Sequence, residues 1–112
     1  MAKQYAINFS ESEEIVKFTD DNKTIRELEI VMLINLFNIA LDSQTVISKA
    51  FECKDCISAL NNISDEDAFV EFTKQDLDYI DVAFEKTAGK RPVWWFDKCS
   101  SIFEQVSSPK EK

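Results

Sequence analysis

Tyr5, Ile7 and Phe9 alternate with polar or small residues in the segment QYAINF, which is the period of a β-strand. The polar run SESEE interrupts the pattern, IVKF at 15–18 offers a second short strand, and TDDNK reads as a turn. Together these segments predict an N-terminal β-hairpin. Thr24-Ile25-Arg26-Glu27 then supplies a hydroxyl and, three residues on, a carboxylate, the capping-box arrangement that opens a helix. That helix is expected to run from Thr24 to Leu41. At about 100° per residue, its Ile30, Met32, Leu33, Leu36, Phe37, Ile39 and Leu41 point in almost every direction. Only Asn35 and Asn38 leave a polar strip beyond the first turn. A helix that is apolar all round has to be covered all round. Either it is the central helix, wrapped by the rest of the chain, or its 28–41 stretch is a subunit interface. In the second case Leu33, Phe37 and Leu41 are the self-association residues.

Asp42 or Ser43 can cap a second helix over 44–61. Val46, Ala50, Cys53, Ile57 and Leu60 form its apolar stripe, widened by Ile47 and Phe51, with Lys49, Glu52, Lys54 and Asp55 on the other side. NNISDED is rich in residues that cap and turn, and AFVEF at 68–72 is a strand candidate. Thr73 caps a third helix, with Asp76 near its positive end and Leu77, Ile80 and Phe84 facing the core. Gly89 stands where a helix C-cap is expected and Pro92 where a first-turn proline is expected. Residues 90–106 therefore read as a fourth helix and 107–112 as a flexible tail. The predicted class is α+β: about four helices with a small antiparallel sheet, built from the N-terminal hairpin and a short strand near 68–72. The 112 residues suit one globular domain over 1–106, and a single glycine and two prolines favour helices with short connections.

Charge narrows the choice of partners. The net charge of −8 repels a phosphate backbone, so direct nucleic-acid binding is not expected. An acidic surface can meet a basic protein, including one that itself binds nucleic acid, or can serve solubility alone. The most apolar run, IVMLINLFNIAL at 30–41, contains two Asn and is too short to span a bilayer, so no membrane contact is expected. MAKQYAINF lacks the apolar core of a signal peptide. An odd count of three cysteines suits a reduced protein. A cytoplasmic location is the expectation.

Candidate chemistry is thin. The chain has no histidine, which removes Ser-His-Asp and Cys-His catalysis and the usual His-ligated zinc enzymes. One glycine removes a Gly-rich phosphate loop. The acids of SESEE and SDED lack the spacing of a calcium loop and read as solvated turns. Cys53-Lys54-Asp55-Cys56 has the C-x-x-C form, but it falls mid-helix rather than at the helix entry that lowers a thiol pKa. Cys99 adds only one more thiol. The simplest reading makes Cys53 a small core residue. No catalytic residue, metal or cofactor is expected.

The tryptophan pair in GKRPVWWFDK is the better lead. On a helical wheel of 92–106, Trp95, Phe96, Cys99, Ile102, Phe103 and Val106 share one face, which must be the core. Trp94 falls opposite, with Asp97, Ser101 and Gln105. An exposed Trp beside Arg91 has the composition of an interface hot spot. The partner-binding candidates are thus Trp94, Arg91, Asp97 and Gln105. The competing reading folds Trp94 over the N-terminal hairpin or a loop.

The layout resembles a group of small accessory proteins of tailed bacteriophages. The resemblance rests on the alternating YAINF, a helical middle, FVEFTKQDLDYIDVAFEK, and the proline-started RPVWWFDKCSSIFEQV. It spans about the first ten and last forty residues. The chain departs from the pattern in SESEE and the tryptophan pair. The resemblance implies a small phage-encoded protein at work in the host cytoplasm, and it supplies no catalytic residues. The expected function is non-catalytic protein–protein interaction, as an inhibitor or modulator of a host protein acting through an acidic surface. The alternative is a structural or assembly factor of a phage particle, homo-oligomeric through the apolar helix 28–41.

Overall fold

The computed structural model describes residues 5–87 and 89–109. Its elements run β1 (Tyr5–Asn8), β2 (Ile15–Phe18), β3 (Asp21–Thr24), α1 (Ile25–Asp42), α2 (Ile47–Asn61), β4 (Phe69–Phe72), α3 (Lys74–Lys86), α4 (Val93–Lys98) and α5 (Ser100–Ser107). The class is α+β, with helices dominant and two small antiparallel two-stranded sheets among the described residues.

The capping box at Thr24 forms in full. Thr24 is extended; its hydroxyl accepts from the Glu27 N–H at 3.2 Å, and its own N–H donates to Glu27 Oε1 at 3.1 Å. That backbone donor, foremost, holds the Glu27 carboxyl below its ordinary pKa. From there α1 passes through the middle of the molecule, with α2 and α3 packed along it. Leu28, Met32, Leu33, Leu36, Phe37 and Ala40 expose nothing, while Asn35 and Asn38 face solvent. The Phe37 ring lies 5.4 Å from that of Phe72. Of the two arrangements open to an all-apolar helix, the chain adopts the central one. Leu33 and Phe37 are therefore enclosed by their own chain and give a second copy nothing to touch. Leu41 is half-buried.

Three connections differ from expectation. Ser43 closes α1 rather than opening α2: its hydroxyl donates to the Ala40 carbonyl at 2.8 Å. The N-cap of α2 is Val46, which makes no side-chain cap bond. The N-terminal hairpin also has different members. β1 pairs with β4, Ile7 opposite Val70, which buries Ile7, Phe9, Val70 and Phe72 as the strand period required. The hairpin itself is β2–β3, with Phe18 opposite Asp21 and Thr19-Asp20 as a two-residue turn. Thr19 takes a positive φ of 56° there, as such turns demand. Residues 21–23, read as turn, form a strand together with the capping Thr24; backbone pairing with β2 forms it, with no apolar alternation to announce it.

The fourth predicted helix is two. Cys99, at φ −117° and ψ 25°, breaks 93–107 into α4 and α5. Pro92 precedes the first turn as the N-cap of α4. Gly89 does take the positive φ expected near a helix end, 80°, in a turn closed by the Lys90 N–H on the Thr87 carbonyl at 2.8 Å. Ser107, the first residue of the expected tail, belongs to α5. Residues 110–112 of that tail, and Gln4 of the predicted first strand, lie outside the described residues.

Candidate functional site

The wheel of 92–106 sets Trp95, Cys99, Ile102 and Val106 in the core and all four are buried, but it misplaces the rings on either side of Trp95. Trp95 goes to the core as expected and is 3% exposed. Trp94 is half-buried: its ring meets Phe18 of the β2–β3 hairpin edge-on, with centroids 5.0 Å apart, and Trp95 at 5.9 Å. The reading in which Trp94 folds over the N-terminal hairpin is the one observed. Phe96, assigned to the core stripe, is 54% exposed, and Val93, three residues before it on the same face, is 81% exposed.

Arg91 belongs with Phe96 and not with Trp94. Its guanidinium donates to the Phe84 carbonyl and, at 3.3 Å, to Thr87 Oγ1, taking up acceptors at the C-terminal end of α3. The same cation lies 5.0, 5.6 and 5.7 Å from the ring centres of Phe84, Phe96 and Phe103. Phe96 stacks on Phe103 with planes 5° apart and centroids at 5.4 Å. The corner between α3 and α4 thus carries an arginine–aromatic cluster whose outer ring and neighbouring valine are open to solvent. Exposed Lys86 and Lys90 flank it in sequence, on a chain that is acidic as a whole.

The other two partner candidates go elsewhere. Gln105 is structural. Its Oε1 accepts from the Asn8 N–H at 2.7 Å and its Nε2 donates to the Asn8 carbonyl at 2.9 Å, so one side-chain amide stands in for a neighbouring strand on the outer edge of β1. Asp97 is exposed and sits 3.7 Å from Lys98 Nζ, which also reaches Glu14 at 3.0 Å.

Sequence reasoning missed two further features. Ile47 and Phe51, assigned to the core stripe of α2, are 75% and 58% exposed, because only Cys53, Cys56 and Leu60 turn fully inward. Four residues apart, they make a second apolar ridge. Glu29 carries an ionisable carboxyl yet is fully enclosed. Its position was legible: it lies four residues from both Ile25 and Leu33, in the middle of the buried arc of α1. Burial, foremost, pushes its pKa up, against the Ser10 N–H bond and the Arg26 charge.

The thiols are core residues. Burial pushes Cys53 up to about 11 and Cys99 up to about 12, so both stay protonated and poorly nucleophilic at neutral pH. Cys56, three residues after Cys53, is buried on the inward face of α2. Among the described residues no group of three His, Cys, Asp or Glu side chains is placed to hold a metal ion. No described helix is long and apolar enough to cross a membrane. No protein-family model, curated protein or solved structure matches the chain.

Proposed function

We propose that the protein is a non-catalytic interaction module whose contact surface is the α3–α4 corner, with Phe96 and Val93 as apolar anchors and Arg91 as their organiser. The carrying observation is the exposed Phe96, stacked on Phe103 under the Arg91 guanidinium. A large ring held in one orientation loses little freedom on binding, and Arg and aromatic residues dominate interface hot spots. The two prolonged exposures, at Phe96 and Val93, have no role in the chain's own core.

The net charge of −8 supports a basic partner, a nucleic-acid-binding protein among them, because opposite net charge raises encounter rates. The resemblance to phage accessory proteins makes a host protein in the host cytoplasm the expected target, with inhibition or modulation as the outcome. Phe96→Asp tests the surface. It places a charge where the fold buries little, so circular dichroism stays unchanged while partner affinity drops by about thirtyfold or more. Unchanged capture by the folded variant counts against the corner.

A second reading rests on the Ile47–Phe51 ridge. Self-association, expected at helix 28–41, would instead use this face of α2. Light-scattering mass at high concentration tests it: a dimer broken by Ile47→Asp supports it, and a monomer at all concentrations removes it.

A further inference from the structure

The outer edge of β1 is only half covered. The Phe9 N–H donates to the Ala68 carbonyl at 2.9 Å, and in the same register Asn8 stands opposite Phe69 and Ala6 opposite Glu71. Bonding alternates along an antiparallel pair. Tyr5, Ile7 and Phe9 therefore turn their backbone groups toward β4, while Ala6 and Asn8 turn theirs outward. Gln105 bears out that parity, since its side-chain amide takes both the N–H and the carbonyl of Asn8. Ala6, the next outward residue, is half-buried, and its N–H and carbonyl have no hydrogen-bond partner among the described residues. A pocket of about 480 Å³ opens on this side, between β1 and α5, and is lined by Ala6, Asn8, Ser101, Glu104, Gln105 and Ser108.

Two features choose the occupant. The group already seated on the edge is a carboxamide, which has the chemistry of a peptide unit and bonds both backbone groups of one residue, as a paired strand does. The charge beside it is Glu104, exposed and in no ion pair among the described residues. We propose that the outer edge of β1 binds an extended peptide segment carrying a basic side chain. The segment pairs with Ala6 and then with Asn8, where it displaces the Gln105 amide, and its Lys or Arg reaches Glu104.

An open strand edge is a template for another chain, and recognition by strand addition draws its affinity from main-chain hydrogen bonds. Gln105 holds the place of the incoming strand in the unbound protein. Once displaced it keeps a partner, because its Nε2 also donates to Ser101 Oγ at 3.2 Å. A basic side chain on the segment agrees with the net charge of −8, which favours the approach of basic chains. The inference stands apart from the α3–α4 contact surface and does not need it.

The test is an NMR titration of the ¹⁵N-labelled protein with the blocked peptide Ac-Lys-Val-Thr-Val-Lys-NH₂. The peptide should shift the backbone amides of Ala6 and Asn8 and the side-chain amide of Gln105, and slow hydrogen exchange at Ala6. Two versions, each methylated on one alternate set of backbone nitrogens, separate strand pairing from side-chain contact. One set should weaken binding about tenfold or more and the other should leave it within about twofold. Replacing both Lys of the peptide by Glu should weaken binding about threefold or more. Ala6→Pro removes the outward N–H, which the β1–β4 ladder does not use, and should weaken binding about tenfold with an unchanged circular dichroism spectrum. Gln105→Ala clears Asn8 and should tighten binding. Absence of a shift at Ala6, equal binding of the two methylated peptides, undiminished binding of the Glu version or by Ala6→Pro, or weaker binding by Gln105→Ala overturns the proposal. So does a concentration-dependent dimer that shifts the same amides without peptide, which would give the edge to a second copy of the chain. The methylated pair is read on the wild-type protein alone, so it decides the matter even where a variant does not fold.

Discussion

Phe18 and Trp94 meet edge to face, and that contact ties the small β2–β3 hairpin to α4. Such aromatic pairs contribute about 0.5–1.5 kcal/mol beyond their buried area. A double-mutant cycle of Phe18→Ala and Trp94→Ala, followed by urea denaturation, should return a coupling energy in about that range. Additive effects would place the two rings apart. Trp94→Ala should accordingly lower stability, and any loss of partner binding would follow from hairpin displacement rather than from a lost anchor. Arg91 works in the other direction. By bridging the Phe84 carbonyl and three aromatic rings it fixes Phe96 in an exposed stack. Residue types alone singled out Arg91, as a partner-binding candidate beside Trp94. They could not say which aromatic it serves, because Trp94 and Phe96 are both one step from Trp95 and only the helix phase separates them.

At the scale of elements, local chemistry was readable wherever it is self-contained. Thr24 and Thr73 both form complete capping boxes, with Glu27 and Asp76 as reciprocal acceptors. Thr73→Ala should cost about 1 kcal/mol of global stability by chemical denaturation; a change near zero would mean α3 is held by packing alone. The Asp76 N–H to Thr73 Oγ1 distance of 3.1 Å and the return bond of 2.9 Å motivate the figure. What escaped the sequence needed a distant partner. β1 could have paired with any strand, and Val70 and Phe72 complete its apolar face across sixty-odd residues of chain. β3 has no apolar pattern to read. The break at Cys99 has neither glycine nor proline to mark it. Glu29 could have been found, as the one charge on the buried arc of α1; Ile47 and Phe51 could not, since apolar residues on both sides of α2 leave its inward face undecided.

For the molecule as a whole, the acidic balance and the enclosed Glu29 together set a pH dependence. The groups acting on that carboxyl are the Ser10 N–H and Arg26 on its own helix, and its charge in turn raises the Cys99 thiol at the α4–α5 junction. Burial raises its folded pKa above the ordinary 4.5. A raised acid binds more protons folded than unfolded, so stability falls as pH rises through 4.5 toward the folded value, then levels. Glu29→Gln removes that step. Melting temperature against pH should therefore show the variant gaining on the wild type as pH rises from acid to neutral, and parallel curves would mean Glu29 is not perturbed. Glu27, lowered by its cap, works with the opposite sign, but it is exposed and contributes little.

The central claim is that the α3–α4 corner is the working surface. Quantitative affinity capture with wild type, Phe96→Asp and Ile47→Asp compares it directly with the other exposed apolar ridge, with circular dichroism confirming that all three are folded. The account predicts a partner bound by wild type and Ile47→Asp and lost from Phe96→Asp. A partner lost from Ile47→Asp but retained by Phe96→Asp would move the function to α2 and contradict it.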